Sequence, residues 1–185
     1  MIMIIILLRG FSNSGKDYVG NILMSKYGYK QYSFAGSLKQ IVSDIYTIPL
    51  DLLYSQEGKL MICNNDIHKR TNRQLLIDEA LRLKENDYDI FAKHCCNSIF
   101  IENHKKIVIT DWRFENEFDI LKQYFPTANI IPIHIVRTDQ IKSPIDDISE
   151  YHLIDRKGDY TIINNMDETL YQYVDDLMNE IINFL

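Results

Sequence analysis

Gly10-Phe11-Ser12-Asn13-Ser14-Gly15-Lys16-Asp17 has the G-x-x-x-x-G-K spacing of a loop that can wrap a polyphosphate. Such a loop must curl its backbone N–H groups around phosphate oxygens, and a glycine at each end supplies the dihedral freedom. A helix starting at the second glycine would add unpaired N–H donors and the positive end of its dipole. Lys16 would then reach the β- and γ-phosphates as a compact charge. Asp17 stands where Ser or Thr is usual; a carboxylate can ligate Mg2+ as a hard oxygen donor, but it adds repulsion near a triphosphate. The same residues would also make a tight turn, with Ser14 or Asp17 capping the following helix.

A second constellation is Asp111-Trp112-Arg113-Phe114-Glu115-Asn116-Glu117, directly after the apolar run Ile107-Val108-Ile109. A carboxylate at a strand end is where a phosphate-loop protein orients Mg2+ or its waters, and Arg113 could grip a phosphate bidentately. An Asp111–Arg113 surface pair, or Asp111 capping the next helix, fits the sequence as well. Lys39 and the group Lys69, Arg70 and Arg73 are weaker candidates. The latter group opens a helix, where cations oppose the dipole unless a phosphate sits there, and a solvated face is the plainer reading. Arg137 follows an apolar strand directly. The histidines His68, His94, His104, His134 and His152 lack metal-ligand spacing, and His134 reads as a core residue. Cys95 and Cys96 read as small buried groups on a helix.

The elements that must position these residues alternate. Apolar runs and turn residues predict strands near 2–8, 29–33, 107–109, 129–136 and 160–163. Helical spacing predicts helices near 16–26, 36–46, 71–84, 88–101, 114–124 and 167–184. Residues 49–70 are polar and weakly periodic, which predicts an irregular, mobile excursion. Strands separated by helices imply a three-layer α/β/α arrangement around a parallel central sheet. Ligands bind such sheets at the carboxyl ends of the strands, where Gly10, Ser33, Asp111, Arg137 and Asn164 fall.

With 185 residues and no repeat or linker, a single domain is expected. The net charge of −6 gives no global basic field, so polymeric nucleic acid is not an expected partner. The first apolar run is too short to span a bilayer and lacks the flanks of a secretory signal, so no membrane association is expected. Three cysteines without C-x-x-C spacing suit a reducing cytoplasm.

Together these pieces resemble the deoxynucleoside monophosphate kinases of phages and large DNA viruses, a branch of the phosphate-loop nucleoside monophosphate kinases. The likeness is carried by the loop at 10–17 in its S-G-K-D form, by Ser33-Phe34-Ala35-Gly36-Ser37-Leu38-Lys39 and by Asp111 to Glu117. It continues through Ile135-Val136-Arg137, Ile148-Ser149-Glu150 and Asp159 to Asn165. The resemblance implies transfer of the ATP γ-phosphoryl to a deoxynucleoside 5′-monophosphate with Mg2+. It implies that Gly10, Asn13, Ser14, Gly15, Lys16, Asp17 and Tyr18 hold ATP, with Arg137 and Asn164 flanking its adenine end. Ser12, Leu38, Lys39, Arg73, Asp111, Arg113 and Glu117 would contact the acceptor nucleotide, and Phe91 would stack on its base. Asp17 and Asp111 would be the metal ligands, and Lys16, Asp111, Arg113 and Arg137 the catalytic set. Asp147 replaces a His usual in the family, and the family's Gln and Gly-Thr-Asp pieces are absent from 75–87. A kinase of another metabolite, such as phosphomevalonate or dephospho-coenzyme A, and a non-catalytic nucleotide-binding regulator are the alternatives. A homodimer is left open.

Overall fold

The computed structural model describes residues 2–138, 152–153 and 156–184. Five strands are present among them: β1 (Ile4–Arg9), β2 (Lys30–Tyr32), β3 (Lys106–Ile109), β4 (Asn129–Arg137) and β5 (Tyr160–Asn164). The helices are α1 (Lys16–Tyr27), α2 (Gly36–Tyr46), α3 (Leu50–Tyr54), α4 (Gln56–Leu60) and α5 (Asn72–Asn86). They continue with α6 (Ile90–Glu102), α7 (Glu115–Tyr124) and α8 (Thr169–Phe184). None of the described helices is long and apolar enough to cross a membrane. The motif Ile148-Ser149-Glu150 and Asp147 lie outside the described residues.

The chain divides into two compact units, one formed by Met1–Ser33 with Ile99–Leu185, the other by Phe34–Ser98. The first contains the sheet. All of its strands pair in parallel, in the order β2-β3-β1-β4-β5. Ile5 faces Ile107 on one side and Ile130 on the other, so β1 is central. Parallel pairing needs a crossover between strands, which α1, α7 and the helical residues after β2 provide. Ile5, Ile6, Leu7 and Leu8 are all fully buried. That explains an apolar run without alternation: both sheet faces are covered. On one face Ile6, Leu8, Val108, Ile133 and Ile162 pack with Val19 and Leu23 of α1 and Val174 and Met178 of α8. Ile5, Leu7, Ile107 and Ile109 point to the other face, and Ile120 and Leu121 of α7 are buried as well. Each such side chain contributes about 1.5–3 kcal/mol by leaving water.

The second unit is helical. Its core joins Leu38 and Val42 of α2, Leu53 of α3, Leu75 of α5 and Phe91 of α6. Thr71 caps α5 in a reciprocal box with Gln74, whose side chain accepts from the Thr71 N–H at 2.9 Å. Residues 49–70 correct the sequence expectation of an irregular stretch, because α3 and α4 lie within them. The Ser55 hydroxyl accepts from the Gly58 N–H, capping α4, and the buried Asn72 amide donates to the Gly58 carbonyl at 2.8 Å. A bridge between Ile62 and Thr71 closes the segment.

Candidate functional site

The phosphate-type loop leaves β1 after Arg9 and enters α1 at Lys16. Gly10 has φ +146°, and a Cβ there would lie 2.4 Å from the Ile135 carbonyl of β4. Gly15 has φ +103°, and Asn13 also takes a left-handed conformation with φ 61°. The glycine requirement read from the motif is therefore met by backbone geometry at both ends. Inside the curl, Lys16 Nζ donates to the Gly10 and Phe11 carbonyls, each at 2.7 Å. The Ser14 N–H donates to the Phe11 carbonyl at 3.1 Å, closing a turn. Asp17 and Tyr18 are exposed on the first turn of α1, and Ser12 is half-buried.

Neighbouring strand ends hold this loop. Arg137, last in β4, donates from Nη1 to the Asn13 carbonyl at 3.2 Å. Asn164, last in β5, donates from Nδ2 to the Ser14 carbonyl at 2.9 Å. His134 pairs across the ladder with Arg9. Burial, then the nearby Arg9 charge, pushes its imidazole down to about 4. At neutral pH His134 is uncharged, and the positive field at the loop comes from Lys16, Arg137 and the α1 N-terminus.

The second constellation is also assembled at strand ends. The Ser33 hydroxyl, just after β2, donates to Asp111 Oδ2 at 2.7 Å. Glu117 Oε2 accepts from the Arg113 and Phe114 N–H groups at 2.9 and 3.0 Å. That carboxylate caps α7 and fixes the backbone that carries Arg113. Trp112 is buried, stacks on Phe118 with centroids 5.9 Å apart, and donates from Nε1 to the Phe114 carbonyl at 2.8 Å.

Sequence reasoning missed a buried ionic cluster beside the loop. Arg9, 5% exposed, donates from Nε to Asp159 Oδ2 at 2.5 Å. Its other nitrogens reach the Leu153 and Arg156 carbonyls at 2.9 and 3.1 Å. Arg156 bonds Asp159 Oδ1 at 2.9 Å, pairs with Glu115, and lies over the Trp112 ring at 4.8 Å. Three hydrogen bonds offset the desolvation of Arg9. The available signal was a charged residue closing a wholly apolar strand.

The remaining candidates belong to the helical unit. Lys39 of α2 places Nζ 3.8 Å from the Tyr54 ring centroid. Arg73, near the start of α5, donates to Gln56 Oε1 at 3.1 Å. Leu38 and Phe91 are buried in that unit's core. Arg70 is held by Asp66 at 2.8 Å and Asp78 at 2.7 Å, so carboxylates supply the anions that its position before α5 requires. Hydrogen bonding to Arg70 in turn holds the Asp66 carboxyl well below the usual carboxylate range.

Among the described residues no group of three or more His, Cys, Asp or Glu could hold a metal ion unaided. Asp17 and Asp111 are hard oxygen donors, which suits a Mg2+ ion that completes its shell with water and nucleotide phosphates.

A parallel sheet in this order, with a glycine-flanked loop running from its central strand into a helix that opens on Lys16, is an α/β fold with a phosphate-type loop at the end of β1. No family model matches the chain. The resemblance to deoxynucleoside monophosphate kinases extends to a curated protein of Acanthamoeba polyphaga mimivirus named "Putative deoxynucleotide monophosphate kinase". It is 25% identical over 134 residues, covering 65% of this chain and 69% of that protein. Among solved structures, a "putative kinase" from Chloroflexus aurantiacus is similar with a TM-score of 0.48 at 13% identity, covering 96% of this chain and 97% of that one. A sugar kinase from Janibacter is similar with a TM-score of 0.44 at 10% identity, covering 96% and 93%.

Proposed function

We propose that this chain is an ATP-dependent phosphotransferase that converts a deoxynucleoside 5′-monophosphate to the diphosphate. The observation that carries the proposal is the Lys16 ammonium drawn into the curl of residues 10–15 by two loop carbonyls. A charge already inside the curl can exchange those carbonyls for phosphate oxygens with little reorganisation. The mimivirus relative's name supports a kinase and suggests the acceptor class.

Phosphoryl transfer asks mainly for positioning and charge neutralisation. Lys16 and the α1 N-terminus would hold the β- and γ-phosphates. Arg137 would stabilise charge on the phosphoryl group in transfer, and Arg113, on a backbone fixed by Glu117, would hold the acceptor phosphate. Mg2+, when bound with the nucleotide through Asp17 and Asp111, would supply further neutralisation. Leu38, Lys39, Arg73 and Phe91 are assigned to acceptor recognition by the family resemblance alone. Three free, buried cysteines support a reducing cytoplasm as the working compartment.

The test is ADP release measured across the four common deoxynucleoside monophosphates, with phosphomevalonate and dephospho-coenzyme A as controls. ADP that depends on a deoxynucleotide supports the reading and identifies the base. ADP that depends on a control metabolite replaces the acceptor. ATP binding without turnover on any acceptor would make the chain a nucleotide-binding regulator.

A further inference from the structure

We propose that Asn164 is a positioning residue for the phosphate loop, acting on the Ser14–Gly15 peptide and not on a nucleotide base. The proposal rests on the phosphate-binding reading of residues 10–17 and specifies what holds that loop in its binding shape. Asn164 is 2% exposed. Its Nδ2 donates to the Ser14 carbonyl at 2.9 Å, while its Oδ1 accepts from the Met166 N–H at 2.9 Å. Both ends of the amide plane are thus tied, one to the loop and one to the turn that follows β5. With so little surface, the amide offers a base almost nothing to touch.

Gly15 shows how closely the strap sits. A Cβ at that position would lie 2.4 Å from Asn164 Nδ2, so the amide occupies the space a side chain would need. A trans peptide points its C=O and N–H in opposite directions. Holding the Ser14 carbonyl against β5 therefore turns the Gly15 N–H to the opposite side, where a phosphate-binding loop needs its donors. The start of β5 is tied to the other end of the loop: Asp159 binds Arg9, the residue before Gly10. β5 and the residue before it thus hold the loop at both of its ends, and Asn164 sets the peptide orientation.

The experiment compares wild type, Asn164→Ala and Asn164→Asp by calorimetric titration with ATP, GTP and inorganic tripolyphosphate, each with Mg2+. Circular dichroism and melting temperature check that the variants fold. Aspartate keeps the acceptor for Met166 and cannot donate to Ser14, but it adds a charge that repels polyphosphate, so a loss confined to aspartate counts as repulsion and overturns the proposal. The expected result is a loss of roughly tenfold in affinity, equal for ATP and tripolyphosphate, in both variants. The ATP-to-GTP preference should stay that of wild type. ATP weakened with tripolyphosphate unchanged would overturn the proposal in favour of a base contact. Unchanged affinity for both ligands in a folded variant would overturn it outright. A wild-type chain that binds neither ligand would instead remove the phosphate-binding reading, and this proposal with it.

Discussion

In the sheet unit, Lys16 leans on the Gly10 and Phe11 carbonyls, and Arg137 on that of Asn13. In the helical unit, Arg70, Arg82 and Lys93 meet the carboxylates of Asp66, Glu79 and Asp87. The difference bears on what an arriving anion must displace. A phosphate oxygen can replace a carbonyl acceptor without stranding an opposite charge. Displacing Asp66 from Arg70 would leave a carboxylate whose side chain is only 3% exposed. Cations of equal formal charge are therefore unequal as phosphate ligands: Lys16 and Arg137 touch backbone carbonyls, whereas Arg70, like Arg9 and Arg156, is committed to carboxylates.

The sharpest way to break this contrast is a pair of substitutions. Lys16→Ala should lower kcat by about a hundredfold or more with the melting temperature nearly unchanged. Arg70→Ala should leave turnover close to wild type while lowering the melting temperature. Equal losses of turnover in the two variants, in a coupled ADP assay, would end the distinction.

Stability should divide along the same line. Arg9→Met takes one of the two arginines from Asp159 in the sheet unit, leaving it with Arg156, and should cost about 1.5–3 kcal/mol in urea unfolding. The double variant Arg9→Met/Asp159→Leu should cost less than the single, because the buried carboxylate is gone and Arg156 keeps Glu115. A double variant worse than the single would mean that the pair stabilises the fold in its own right.

Arg113→Ala tests the second constellation: acceptor KM should rise about tenfold while ATP KM stays put. An unchanged acceptor KM would remove Arg113 from the acceptor site.

Acidification separates the two units by pH. His134 has a folded-state value near 4, below its ordinary 6.5, so the unfolded chain takes up the proton first. Its contribution is whole above pH 6.5 and is lost between 6.5 and about 4. Asp66 lies below its ordinary 3.8, so its contribution is whole above that value and is lost only at lower pH. Melting temperatures from pH 7 to 3 should show His134→Gln flattening the first fall and Asp66→Asn the second.

Much of this was legible in the sequence, and the reasons are local. Ile5-Ile6-Leu7-Leu8 announced a strand buried on both faces, and the glycine spacing announced the left-handed turns at Gly10 and Gly15. The helix at Gly36–Tyr46 is bounded where its periodicity begins and ends. Helices α3 and α4 were illegible because five residues are too few to show a period. They depend instead on a Ser55 cap and on the Asn72 amide contributed from α5. The Arg9–Asp159 pair was hidden for a different reason: its members stand 150 positions apart, and the β1–β4 and β4–β5 pairings bring them together. Asn164 was visible as a residue at a strand end, but its acceptor is a backbone carbonyl, which no side-chain pattern reveals.

The strand order has a dynamic consequence. β1 has a hydrogen-bonded neighbour on each side, whereas β5 is paired along one side only, with β4, among the described residues. Amide protons of β1 should exchange with solvent among the slowest in the molecule, and those of β5 sooner, as its outer margin frays. The loop is thus rooted in the least labile strand and strapped by one of the more labile, so nucleotide occupancy should register as slower deuterium uptake along β5 and leave β1 much as it was.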